Sequence, residues 1–328
     1  MELKTLVELP ENLPNISHND ELLLMGSCFA ESIGKLLVEN KFHCDVNPFG
    51  ILYNPLSVST ALRQIMEGKN YTDTDLFFSQ ENYHSFMHHG SFSALCAEES
   101  LSLINSRLQA AHRGITQLKF LIITLGTSWV YTLKSDGSVV SNCHKLADRE
   151  FVRRQLSVEE IVSDYTRLIK EFTGLNPQCN LIFTISPIRH IKDGMHGNQL
   201  SKAVLLLAVD KLKTIFPERI FYFPSYEIML DELRDYRFYA DDMLHPSPLA
   251  IKYIWERFTD AFFSGKTQSI LKEYENIRKA LNHKPFHTGS EEYKCFLEQI
   301  VLKIKRLKEK YPNLDVQKEL DLCLTQLK

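Results

Sequence analysis

Short runs of consecutive apolar residues alternate along this chain with longer stretches in which apolar residues recur every three or four positions. The runs at 22–25, 120–127, 181–185 and 220–223 read as buried strands, and 42–46 as a shorter one. Between them lie helical stripes: Phe29, Ile33, Leu36 and Leu37; then Val58, Ala61, Leu62 and Ile65 behind a Ser57 cap; then Leu101, Ile104, Leu108 and Ala111. Further on come Ile161, Tyr165, Leu168, Ile169 and Phe172 behind a Ser157/Glu160 capping box, and a stripe through Leu200, Val204, Leu207, Ala208, Leu212 and Ile215. Ser247-Pro248 opens a helix with Ile251, Ile254, Trp255, Phe258 and Phe262 inward, which Gly265 is expected to end. Strands alternating with amphipathic helices predict an α/β fold, a mainly parallel sheet joined by right-handed crossovers and covered on both faces.

Three stretches depart from that alternation. Residues 67–97 are irregular, aromatic and rich in histidine, and read as an insertion over the sheet. Residues 129–132 and 137–143 read as extended segments around a turn at Ser135-Asp136-Gly137. Beyond Lys266 three helical patterns are interleaved with dense Lys and Glu, which divides the chain into an α/β part, 1–265, and a helical extension, 266–328. Covering the mouth of a site, pairing two copies of the chain into a homo-oligomer, and extending the core are all open to that extension.

Composition narrows the function classes. A net charge of −3 and a pI near 6.5 leave no electrostatic footprint for nucleic acid or an anionic membrane. No apolar run has spanning length, and the first ten residues lack the apolar core of a signal peptide. Seven scattered cysteines without a C-x-x-C pair favour a reducing, cytoplasmic setting over a disulfide framework or structural zinc. His84 and His88, four apart, with His89, Cys143 or His144 nearby, form the one pattern with metal-ligand spacing; aromatic-loop histidines are more often packing or substrate contacts, and neither metal nor cofactor is expected.

In an open parallel sheet ligands bind at the carboxyl ends of the strands. That rule gathers Ser27 after the first strand, Asn47 to Gly50 after the second, Gly126-Thr127-Ser128 after the third, Ser186 to His190 after the fourth, and Asp241-Asp242-Met243-Leu244-His245 before the last core helix. A hydroxyl at a strand-to-helix turn together with a histidine preceded by a carboxylate is a parts list for nucleophilic acyl transfer. His245 would take the Ser27 proton, and Asp242, three residues earlier, would orient the imidazole, with Asp241 as the fallback. Alone, Ser27 reads more readily as an N-cap. Cys28, a thiol at a helix N-terminus, is the competing nucleophile, weighed against its packing as a small hydrophobe. Arg189 and His190 stand where acidic or hydroxyl groups of a substrate would lie, unless Asp193 or Asp242 pairs them.

Gly26-Ser27-Cys28-Phe29-Ala30 is the signature from which the GSCFA family takes its name. Asn47-Pro48-Phe49-Gly50-Ile51, Leu125-Gly126-Thr127, Asn142-Cys143-His144-Lys145, Ser186-Pro187-Ile188-Arg189-His190 and Arg234-Asp235-Tyr236-Arg237-Phe238-Tyr239 match it further. More broadly, the order of blocks resembles the SGNH (GDSL-type) hydrolases over about 22–263. The resemblance implies a three-layer, flavodoxin-like α/β/α fold and an enzyme with Ser27 as nucleophile, Asp242 and His245 as partners, and the N–H groups of Ser27 and Gly50 in an oxyanion hole. Where the superfamily has an asparagine this chain has Ser128, leaving Ser128, Asn47 or Asn142 as the third donor. The expected activity is hydrolysis of a small-molecule or carbohydrate ester through an acyl-serine. The alternatives are acyl transfer to a sugar hydroxyl and a non-catalytic binding module.

Overall fold

The structure, a computed structural model, describes residues 5–282 and 290–327. Strand β1 (Glu21–Gly26) passes through Ser27 into helix α1 (Cys28–Glu39), and β2 (His43–Val46) follows. Helix α2 (Pro55–Glu67) is capped by Asn54, not by Ser57. Asn54 Oδ1 accepts from the Ser57 N–H at 2.9 Å and Pro55 takes the first helical position, where a missing N–H is harmless.

The predicted insertion holds a small hairpin, β3 (Phe77–Ser79) and β4 (Asn82–His84), before α3 (Ala97–Gly114) and β5 (Leu118–Leu125). The extended segments after β5 become an antiparallel sheet of β6 (Trp129–Leu133), β7 (Val139–Val140) and β8 (Phe151–Gln155), in the order β7-β6-β8. Its last strand was hidden in the sequence by the charges of Arg153 and Arg154. Helix α4 (Val158–Leu175) carries the expected Ser157/Glu160 capping box and leads to β9 (Asn180–Ile185).

Helix α5 (Gly194–Ile215) is rotated from the expected stripe: Leu200, Leu207 and Ile215 are about half exposed, while Asn198, Ser201, Lys202, Leu205, Ala208 and Leu212 face inward. Its apolar residues extend nearly all round, so periodicity could not set its facing. Strand β10 (Ile220–Phe223), the short α6 (Ser225–Glu227) and α7 (Pro248–Phe262) complete the α/β part. Gly265, expected to stop α7, instead begins the next helix behind a Ser264 cap.

All five central strands are parallel, in the order β10-β9-β5-β1-β2. Renumbered among themselves they run 2-1-3-4-5, the flavodoxin-like order, whose topological switch point falls between β1 and β5. Strand pleating divides the core. Leu23, Met25, Leu121, Ile123 and Phe183 face the layer of α2 to α5, whereas Leu22, Leu24, Phe120, Ile122 and Ile182 face α1 and α7. This is the expected α/β fold.

The C-terminal helices α8 (Gly265–Leu281), α9 (Glu291–Lys310) and α10 (Gln317–Gln326) pack around their own core of Ile270, Tyr274, Leu297, Ile304 and Cys323. They dock on the end of the α/β part through Thr267 Oγ1 donating to the Ile16 carbonyl (3.2 Å) and a Lys41–Glu319 ion pair (2.8 Å). Among the described residues no helix is long and apolar enough to cross a membrane.

Candidate active site

The site forms where β1 ends. Gly26 has φ +136°, and a Cβ there would stand 2.0 Å from the Thr124 carbonyl oxygen, so only glycine lets β1 turn this close beside β5. Asn47 Oδ1 accepts from the Gly26 N–H (2.9 Å), tying the loop after β2 to the same turn. Ser27 then closes the helix: its N–H donates to the Thr124 carbonyl (3.2 Å) and its Oγ accepts from the Phe29 N–H (3.3 Å). At 1% exposure, Ser27 sits inside the turn.

Cys28, one residue and about 100° further around the helix, opens onto a cleft of about 600 Å³. Its Sγ lies 3.9 Å from His245 Nε2, a long hydrogen bond of the sort that tightens when substrate arrives. The structure thus brings Cys28, rather than the expected Ser27, to the histidine.

The histidine is organised locally. Asp242 Oδ1 accepts from the N–H groups of Leu244 (2.9 Å) and His245 (3.0 Å), and Oδ2 takes His245 Nδ1 at 2.5 Å. Nδ1 therefore carries the proton and Nε2 presents a lone pair to Cys28. The N–H groups of His245 and Leu244, then the imidazole, hold the Asp242 carboxyl down to about 2. Met243, between them, has φ +60°, a left-handed conformation unusual for methionine that bends the turn. Arg189 N–H donates to the Leu244 carbonyl (3.3 Å), coupling this turn to the end of β9.

The other expected residues separate into frame and lining. Gly50 turns its N–H into the Asn47 carbonyl (2.8 Å) and packs beneath His89. Ser128 is fully buried, its Oγ between Ser201 Oγ (3.1 Å) and Gln155 Nε2 (3.0 Å). Asn142 lines the cleft but its Oδ1 holds the His144 N–H (2.9 Å). Arg189 and His190 both line the cleft. Asp193 pairs with Arg153 (2.5 Å), not with either of them. Burial pushes His190 down to about 4, with the Lys202 charge adding to the effect. Of the histidine cluster, His84 bonds Ser93 Oγ and the Ser79 carbonyl, His88 bonds Ser85 Oγ, and His144 bonds the Ser85 carbonyl. Among the described residues no group of three potential ligands stands in metal-holding geometry.

Two residues of the site escaped the sequence reading. Tyr53, about a third exposed in the cleft, accepts from the N–H groups of Gly126 (2.8 Å) and Thr127 (3.0 Å) on its carbonyl, and its side chain lines the cleft together with Cys28, close enough to the thiol to act on it. Lys202, fully buried, donates to the carbonyls of Gly126 (2.6 Å) and Ser186 (2.7 Å), clamping the ends of β5 and β9, and desolvation lowers it to about 7. A lone lysine on the helix face that also holds Leu205, Ala208 and Leu212 is a detectable signal, once the facing of α5 is known. Burial, the largest influence, raises the Cys28 thiol; its own N–H and Tyr53 act in the opposite direction.

A flavodoxin-like sheet with an acid–histidine–thiol chain at its switch point describes an α/β protein with its candidate site at the carboxyl ends of the strands. Residues 21–258 match the GSCFA family model and 274–328 match that of the GSCFA domain protein C-terminal domain; the chain belongs to the GSCFA family. Comparison with curated proteins gives no match. Among solved structures the chain is similar to an acetyl xylan esterase (Est2A) from the rumen bacterium Butyrivibrio proteoclasticus. That similarity has 12% identity and a TM-score of 0.40, and it covers 75% of this chain and 64%, under two thirds, of that one. It is also similar to a putative platelet activating factor from Streptococcus pneumonia, with 11% identity and a TM-score of 0.38, covering 76% and 84%.

Proposed function

We propose that this protein is an acyl hydrolase that cleaves an ester of a small molecule or carbohydrate, with Cys28 as nucleophile, His245 as general base and Asp242 as its orienter. The observation that carries the reading is the continuous chain Asp242 Oδ2–His245 Nδ1 (2.5 Å) and His245 Nε2–Cys28 Sγ (3.9 Å), opening onto one cleft. Because burial raises the thiol, reaction starts from S–H, and His245 removes the proton as sulfur attacks the acyl carbon. The imidazolium so formed is stabilised by Asp242 and returns the proton to the departing alkoxide. Water activated by the same histidine then releases the acid.

His245 and Asp242 are both nearly half exposed, which leaves water free access and favours hydrolysis over transfer to a sugar. Arg189 bears on substrate choice. Its guanidinium lies 5.8 Å from the Tyr239 ring centroid and 4.0 Å from Met195 Sδ, and no carboxylate pairs with it among the described residues, so it is available to an anionic or hydroxyl-rich group of the substrate.

The test is adduct mapping after p-nitrophenyl acetate and iodoacetamide treatment. Acetyl and carbamidomethyl groups are expected on Cys28, with acetylation lost in His245→Ala. A fluorophosphonate adduct on Ser27 that disappears in His245→Ala would return the role of nucleophile to the serine.

A further inference from the structure

A thiol attacking an ester needs donors for the oxygen that becomes negative, and the expected residues serve mainly as frame. Gly50 N–H is spent on the Asn47 carbonyl, Ser128 Oγ is sealed between Ser201 and Gln155, and Asn47, whose Oδ1 holds the Gly26 N–H, is outside the cleft lining. Asn142 lines the cleft with its Oδ1 held by the His144 N–H. The side chain that shares the cleft with the reacting sulfur and acts on it is instead that of Tyr53.

Three features hold its hydroxyl there. The Tyr53 carbonyl is pinned by two N–H groups from the end of β5 (2.8 and 3.0 Å), the ring meets His190 edge to face at 5.8 Å and 84°, and Asn54 immediately after it caps α2. The backbone, ring and following residue are thus each fixed by a different element.

We infer that Tyr53 is a catalytic residue of the acyl transfer proposed above, its phenolic O–H donating to the carbonyl oxygen of the substrate as that oxygen becomes an oxyanion. In the tetrahedral intermediate that oxygen is bonded to the carbon that Sγ has just joined, so a donor that shares the cleft with Sγ is placed beside it. As the Sγ–C bond forms, the thiol proton passes to His245 Nε2 and the carbonyl π pair moves to oxygen, where Tyr53 meets it. On collapse the π bond re-forms, the C–O bond to the alkoxide breaks, and His245 gives that alkoxide its proton. Tyr53 keeps its own proton throughout, as a phenol that burial has pushed up to about 12 can.

The inference rests on the Cys28 reading, and the experiment separates the two. Single-turnover acetylation of Cys28 by p-nitrophenyl acetate and alkylation by iodoacetamide are followed from pH 6 to 10.5 in the wild type and in Tyr53→Phe, which removes one partly exposed oxygen. Alkylation passes through no oxyanion. The expected result is an acetylation plateau lowered by on the order of 10²-fold, an alkylation plateau within about twofold, and an alkylation midpoint moved to higher pH by loss of a donor to the thiolate. Equal losses on both plateaus would show that Tyr53 only shapes the thiol, and unchanged acetylation would show that it does nothing at the carbonyl; either overturns the inference. A wild-type protein alkylated at Cys28 but never acetylated there removes the acyl-transfer reading itself and Tyr53's role with it.

Discussion

The histidines of this protein fall into two regions with opposite character. In the insertion between α2 and α3 and the β7–β8 loop packed on it, His84, His88 and His144 spend ring nitrogens on Ser93, Ser85 and backbone carbonyls, and His88 stacks on Phe49 at 4.5 Å. They are struts: His89 N–H holds the Phe49 carbonyl (2.9 Å), so the insertion braces the very loop that leads to Tyr53. At the strand ends, His245 spends only Nδ1 and directs Nε2 at a thiol. A histidine's role is set by what remains of its hydrogen-bonding capacity after the fold is satisfied, and sequence clustering runs the other way, since the dense group is the structural one.

The sharpest way to break that contrast is to remove the second region's chemistry. Cys28→Ala and His245→Ala should each lower ester hydrolysis by at least about 10³-fold with the thermal midpoint little changed, whereas His84→Gln should act on stability and leave turnover of the folded protein within a few-fold. Steady-state kinetics beside thermal melts of the three variants check this, and a large loss of turnover in folded His84→Gln would undo the division.

Lys202 stands between the two classes, structural but directly beneath the site. Lys202→Met leaves two buried carbonyls without donors and should destabilise by about 2–5 kcal/mol, measured by urea unfolding. Since its folded value, about 7, lies below the ordinary 10.5, the unfolded chain binds more protons between those limits, and this group makes stability rise as pH increases through that window. The Met variant should lose that rise.

Acidification probes the struts. Burial lowers His88 to about 3 and, outside the insertion, His18, which bonds the Asn40 carbonyl and stacks on Phe42, to about 4, so each contributes stability above pH 6.5 that is lost as pH falls toward those values. A urea midpoint that decreases from pH 6.5 to 4, with a smaller decrease in His88→Phe, is expected; a variant as acid-sensitive as the wild type would exclude His88 as the cause.

The smallest effect distinguishes the neighbours at the turn. Ser27→Ala should lose one N-cap hydrogen bond, about 1 kcal/mol in a chemical melt, while iodoacetamide still modifies Cys28 at the wild-type rate. Abolished ester hydrolysis in a folded Ser27→Ala protein would instead make the serine the reacting group.

The sequence by itself determined much that is local or strongly periodic. The five central strands are legible because buried parallel strands are nearly unbroken apolar runs, and the Asp242–His245 pair because three residues of one turn suffice to form it. Tertiary structure decided what depends on rotation about a helix axis or on contacts far apart in the chain. One residue's step around α1 turns Ser27 into the cap and Cys28 into the cleft, and the facing of α5 carries Lys202 under the site. No local pattern encodes either rotation, because each is set by how the helix packs on the sheet. Tyr53 is the same case: its place beside Cys28 depends on β5 pinning its backbone, across more than seventy residues of chain.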